Sequence, residues 1–328
     1  MISIFSVIIF VFYNLFLFIN LSYFSKTINL YDYPNNSRKI HAKPTPSIGG
    51  VFLLSNLFLL LIIDFYYEIF SFNFLFLFLF SGIIFFIAFI DDKFDMQPSK
   101  KFFLIGLVVF LFLFFNQNIL ISRVVFDFYY FHFENIFLKY FVSWLCIMLF
   151  LNAVNLYDGA NGQLPVYVIF MLTFFIYENI FSLLSILILI AVIFFSYYNF
   201  KGKIFFGDNG SFLIGFLISY MIIANNITPN YISGEKIFLL MFLPGMDMLR
   251  LFIERLINKK NPFTADNFHI HHLMIRKFST KERIIFNILF YFIPLFLSYY
   301  LNNLLILILL TLFYLIFIYK FLGHKLKK

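Results

Sequence analysis

The chain has 328 residues, 62% of them hydrophobic and only 12% charged. An ordinary soluble domain carries about 25% charged residues, so this composition excludes a water-soluble globular fold and points to lipid as the solvent. The formal charge of +8 leaves nucleic acid or an anionic membrane surface as partners, and the placement of the charges decides between them. The lone Cys146 sits in an apolar run, which excludes an intrachain disulfide and any cysteine-based zinc site.

A spanning helix needs about 20 mostly apolar residues. The first candidate, 2–24, lacks a basic leader and a small-residue cleavage site, and reads as a retained span rather than a signal peptide. Ten more follow at 48–66, 72–90, 102–121, 136–152, 164–178, 181–199, 211–227, 236–253, 284–301 and 303–320. The expected fold is therefore an all-α, polytopic membrane protein of one domain over 1–328, with 11 spans, or 10 if the last two merge.

Lys and Arg concentrate in cytoplasmic loops. With the N-terminus outside and the C-terminus cytoplasmic, all but Arg123, Lys139 and Lys236 of the 24 Lys and Arg fall on the inner side. The positive charge thus faces an anionic leaflet, and no nucleic-acid partner is expected.

Five polar segments alternate with these spans and fall on that same inner side, in loops expected at about 25–47, 91–101, 152–163, 200–210 and 254–283. They are Asp32 to Gly50, Asp91-Asp92-Lys93-Phe94-Asp95, Asn152 to Gly162, Gly207-Asp208-Asn209-Gly210-Ser211, and Pro262 to His272. Singly, each has a plain explanation. Asp91 and Asp92 could be an exposed helix end, Asp158 to Gly162 a turn, and Asp208 the cap of the following helix. His269, His271 and His272 could form a solvated loop, because their spacing does not put all three on one helix face. Asp247 in the ninth span either pairs with Arg250 at i,i+3 or lines a polar cavity. Together, acidic and amide groups at helix ends beside His and Arg suit a Mg2+–diphosphate site. Mg2+ takes oxygen ligands from one or two carboxylates and from substrate phosphates, while Arg and Lys hold phosphate oxygens.

These five segments, in this order, resemble the polyprenyl-phosphate N-acetylhexosamine-1-phosphate transferases, the WecA and MraY group of glycosyltransferase family 4. The matching pieces are Asp-x-Pro…Arg-Lys-x-His…Pro-x-Pro-x-x-Gly-Gly at 32–50, Asp91-Asp92, Asn152-x-x-Asn155-x-x-Asp158-Gly159, Gly207-Asp208-x-Gly-Ser211 and His269-x-His271-His272.

The resemblance implies attack of a polyprenyl (undecaprenyl) phosphate on the β-phosphorus of a UDP-N-acetylhexosamine. UMP leaves, and the lipid-diphosphate sugar primes a surface glycan such as O-antigen, capsule or teichoic acid. It implies Mg2+, with Mn2+ as a substitute, held by Asp208 and Asn155. Asp91 and Asp92 would lie by the lipid phosphate as base or positioning groups, and Asp158 by the nucleotide or the metal loop. Substrate contacts would come from Arg38, Lys39, His41, Asn152, Asn161, Arg255, His269, His271 and His272. The implied location is a bacterial inner membrane with the site facing the cytoplasm, and a homodimer is compatible with it. Two positions depart from the common pattern: Asn161 stands where many members have Asp, and Asn267 where many have a basic residue. A muramyl-peptide donor and, in another class, a transporter are the alternative readings; one-step and covalent two-step mechanisms both stay open.

Overall fold

In the computed structural model, residues 2–34, 43–226, 231–261 and 267–323 are described. Among them the chain is almost wholly helical. The N-terminal hairpin of helices, α1 (Ile2–Ile19) and α2 (Leu21–Ile28), bends by 66° at Asn20. A two-residue pairing follows, β1 (Tyr31–Asp32) antiparallel to β2 (Thr45–Pro46). Next come α3 (Gly49–Tyr67), α4 (Phe74–Phe94) and α5 (Pro98–Phe115), then a hairpin of β3 (Arg123–Val125) and β4 (Tyr130–His132). The remaining helices are α6 (Ile136–Tyr157), α7 (Gln163–Tyr177), α8 (Ser182–Phe200), α9 (Gly207–Asn225), α10 (Gly234–Leu240), α11 (Phe242–Ile257), α12 (Ile270–Ile275), α13 (Thr280–Leu297) and α14 (Asn303–Ile316).

The starts of several helices are written locally. The Asn73 and Asn135 side chains accept from the first free N–H groups of α4 and α6. Ser279 and Glu282 form a reciprocal capping box on α13. Large apolar side chains such as Phe65 and Phe137, each 80% exposed, cover the outside of the bundle. That surface is stable only against acyl chains, and the protein is a multi-pass membrane protein.

Seven helices are long and apolar enough to cross a bilayer, or eight with the bent α1–α2 pair as one span. The expected eleven include shorter segments. At a rise of 1.5 Å per residue, the 15 residues of α7 extend only about 22 Å against a hydrocarbon core of about 30 Å. The expected continuous span 236–253 is broken at Met241. Pro244 lies just beyond, with no N–H to donate back to the preceding turn.

Helix α9 is the axis of the bundle. Most of its length is buried, 89% of the spanning window, packed by α3, α4 and α6. Most of the long helices show lipid one face; α9 shows it almost none. This placement brings its first turn, Gly207 to Ser211, to the point where the ends of the surrounding helices meet.

Candidate active site

The acidic motifs expected in loops are carried on helix ends. Asp91 and Asp92 occupy the last turn of α4, Asn152 and Asn155 the last two turns of α6, and Asp208 the first turn of α9. Helical backbone fixes these side chains more tightly than loops would.

Asp208 and Asn155 are neighbours, as expected. The Asn155 amide donates to Asp208 Oδ1 at 2.9 Å and to Ser211 Oγ at 2.9 Å. On its other oxygen Asp208 receives Lys101 Nζ from the first turn of α5. Lys101 also donates to Asp91 Oδ2 at 2.7 Å, so one ammonium bridges two carboxylates and lies 5.3 Å from the Phe212 ring. Asp91 is completed by the N–H of Met96 at 2.9 Å. In sequence Lys101 looked like one more topology charge. Its position three residues after Pro98, which starts α5, is the signal that it sits at a helix entrance beside the Asp pair.

Asp92 points elsewhere. Its oxygens accept the backbone N–H groups of Asp208 at 3.1 Å and Asn209 at 2.9 Å, together with the Asn209 amide. Asp208 is not the cap of its own helix: the cap position is Phe206, with no side-chain bond. The anion at the N-terminus of α9 is Asp92, reaching over from α4, where the unpaired N–H groups and helix dipole favour negative charge.

Asp158 ends α6, and its carboxylate accepts from the backbone of Gly207. Burial raises its proton affinity well above the ordinary range for a carboxyl, and the nearby charges of Asp208 and Asp92 push the same way. The turn that follows is pinned by Asn199. Its Oδ1 accepts the N–H of Gly162 at 2.8 Å while its amide donates to Ile204 O at 2.9 Å. Gly162 has φ of +82°, a conformation that glycine adopts without steric cost. Asn161 packs its amide against Gly202. Asn152 donates to Met148 O within its own helix at 2.7 Å.

The histidine segment is moored by buried ionic bonds. Asp247 receives Arg250 Nη2 at 2.8 Å, His269 Nδ1 at 2.8 Å, the N–H of Ile270 at 3.0 Å and the Tyr314 hydroxyl at 3.2 Å. Arg250 also donates to Phe268 O at 2.7 Å and to Glu254 at 3.0 Å. The structure thus makes the Asp247–Arg250 pair, and gives Glu254 to Arg250. His269 and His271 are buried rather than solvated, with parallel rings 5.5 Å apart. The His271 imidazole presses on Gly159, where an added Cβ would lie 2.0 Å from Nε2. Its buried Nδ1 has no partner among the described residues, and burial holds its pKa well below the usual 6.5, the neighbouring His272 adding to the effect. His272 follows on α12 and Arg255 lies in the last turn of α11. The expected contacts Arg38, Lys39 and His41 lie outside the described residues, as does Asp266. Asn267 is described, with a buried Oδ1 that lacks a partner among the described residues.

The helix ends carrying Ser47, Asp92, Lys101, Asn155, Asp158, Gly162, Asn199, Asp208 and His271 therefore converge at one end of the bundle. Four acidic groups, Asp91, Asp92, Asp158 and Asp208, lie there, and one ammonium, Lys101, bridges two of them, Asp91 and Asp208.

The model of glycosyl transferase family 4 matches residues 74–226, from α4 through α9. An undecaprenyl-phosphate alpha-N-acetylglucosaminyl 1-phosphate transferase of Thermotoga maritima is 30% identical over 263 residues, covering 78% of this chain and 77% of the relative. This chain belongs to glycosyl transferase family 4. A protein of the same name from Escherichia coli K12 is 26% identical over 291 residues, covering 84% of this chain and 77% of its own length. The family match spans Asp91 to Ser211, so it contains the Asp pair, Lys101, the Asn155–Asp158 helix end and the start of α9. The histidine segment lies outside it, within the extent of the longer alignments.

Proposed function

We propose that this chain transfers N-acetylhexosamine 1-phosphate from a UDP-sugar to undecaprenyl phosphate, releasing UMP. The observation that carries this reading is the Asp91–Lys101–Asp208–Asn155 chain of contacts, at the bundle end where the described parts of the other polar motifs gather. The names of the relatives favour N-acetylglucosamine as the sugar.

An oxygen of the lipid phosphate attacks the β-phosphorus of the UDP-sugar. A new P–O bond forms, the bond from that phosphorus to the bridging oxygen breaks, and UMP leaves with the electron pair. A phosphate monoester has a second pKa near 6, so the attacking oxygen needs little help from a base. The demand is for alignment and charge neutralisation. Lys101 supplies a fixed positive charge and Asn155 a fixed amide, both on helix ends.

Two carboxylates, Asp91 and Asp208, share one ammonium, and the neighbouring charges of Asp208 and Asp92 raise the proton affinity of Asp158, so a divalent cation fits the imbalance. Mg2+ takes few protein carboxylates and completes its shell with phosphate and water. Asp208 and Asn155 are the residues that would hold it, and when bound it would neutralise the diphosphate. Mn2+ is the substitute ion of choice in a test.

The same reading sets the topology. With α10 and α11 taken as one broken crossing, α1–α2 as another, and the shorter helices α7, α13 and α14 as crossings too, the described helices would supply the expected eleven. With the site on the cytoplasmic side of a bacterial inner membrane, the N-terminus lies outside and the lysine-rich C-terminus inside. The product would prime a cell-surface polysaccharide.

Membranes carrying the chain, undecaprenyl phosphate, Mg2+ and a panel of UDP-N-acetylhexosamines test the proposal directly. Metal-dependent UMP release with formation of lipid-linked sugar, lost in Asp208→Ala, is the expected result. Release of UDP would mean ordinary glycosyl transfer and would overturn it.

A further inference from the structure

Three sequence motifs meet at one fully buried side chain, Asn209. Its Oδ1 accepts the N–H of Gly50 at 2.7 Å, and its amide donates to Ser47 O at 3.0 Å and to Asp92. The backbone N–H groups of Asp208 and Asn209 close onto the two oxygens of the same Asp92. The packing leaves no slack. A Cβ on Gly50 would lie 2.2 Å from Asn209 Oδ1, and one on Gly207 would lie 2.0 Å from Ser47 Oγ and 3.0 Å from Asp92 Oδ2. Gly207 itself takes φ of +71°, so the chain enters α9 by a turn whose geometry this junction sets.

The two acids of the pair are therefore in different situations. Asp91 shares the Lys101 ammonium with Asp208 and lies in the charged cluster. Asp92 has both oxygens committed to the first turn of α9. Three donors from that turn hold its carboxylate, which ties Asp92 to the place that Asp208 occupies.

We propose that Asp92 and Asn209 are positioning residues that hold Asp208 in register, and that this is the main role of Asp92. The inference rests on the transferase reading of Asp208. Groups that orient a metal ligand without touching the metal typically change affinity by about 10–100-fold when lost. Removing either member should show the same loss of metal affinity, since both act on the same turn.

The test uses the full chain in lipid nanodiscs, with Mn2+ binding followed by electron paramagnetic resonance and UMP release measured in parallel. D92N and N209A are each expected to weaken Mn2+ binding at least about 10-fold. They should raise the Mn2+ concentration for half-maximal turnover by the same factor, and keep kcat at saturating Mn2+ within about 10-fold of the unaltered chain. If D92N binds Mn2+ normally but loses kcat by about 1000-fold or more, Asp92 acts on the substrate and the proposal falls. Should D92N fail to give a monodisperse protein, N209A decides alone, because it leaves the carboxylate in place; unchanged Mn2+ affinity there overturns the proposal. D208N separates the underlying reading: if it binds Mn2+ as tightly as the unaltered chain, the assignment of Asp208 is wrong whatever the other variants do.

Discussion

Gly159→Ala tests whether the histidine segment is seated against the polar helix end of α6. The added methyl would lie 2.0, 2.1 and 2.4 Å from Nε2, Cε1 and Cδ2 of His271. That ring cannot step aside freely, since it is 4% exposed and flanked by His269 at 5.5 Å and His272 at 4.2 Å. Overpacking of this kind costs about 1–3 kcal/mol. His271→Ala alone removes the ring and leaves a hole, which also destabilises. In the double variant the new methyl enters space that the ring vacated, so the two costs should not add. A coupling of about 1–2 kcal/mol in the relieving direction is expected for residues in direct contact. The measurement is reversible unfolding of the four proteins in mixed micelles, with UMP release alongside. Additive losses, or a Gly159→Ala protein with full stability and activity, would refute the packing argument.

Other consequences follow from single contacts. Arg250→Met removes the only cation bonded to both Asp247 and Glu254 among the described residues, so unfolding should show a loss of about 3–5 kcal/mol, and the moored His269 should lose its place with it. Lys101→Met leaves Asp91 and Asp208 facing each other without their shared ammonium, and turnover should fall by about 100-fold or more, with binding of Mn2+ retained. His271 has its pKa depressed by burial, so the unfolded chain binds the proton more readily. Its contribution is present above pH 6.5 and is lost as pH falls toward the lower folded value. Stability should therefore drop between pH 7 and pH 5, and His271→Gln should flatten that slope; an unchanged slope would contradict the burial of the ring.

The membrane class and the order of the motifs were legible because both are local properties of the chain. Apolar runs of spanning length need no partner to be recognised, and the spacings in Asn152-x-x-Asn155-x-x-Asp158 and Gly207-Asp208-x-Gly-Ser211 survive in any conformation. Helix ends were less legible. Asn152 and Asn155 look like loop residues by propensity, yet α6 continues through them, since packing against α9 outweighs a small propensity cost. The break at Met241 was hidden by an apolar composition that reads the same on both sides of Pro244.

What the sequence determined by itself is the solvent, the family and the set of chemical groups available, since these depend on composition and on short-range spacing. Tertiary structure alone decided how those groups are shared out. Asp91 and Asp92 are adjacent and alike in sequence, but side chains one residue apart on a helix point about 100° away from each other. One therefore reaches Lys101 and the other the open end of α9. Lys101 became part of the cluster, and Asp247 the anchor of the histidine segment, for the same reason: a charge at the edge of lipid must find its partner across helices, and only the packing says which one.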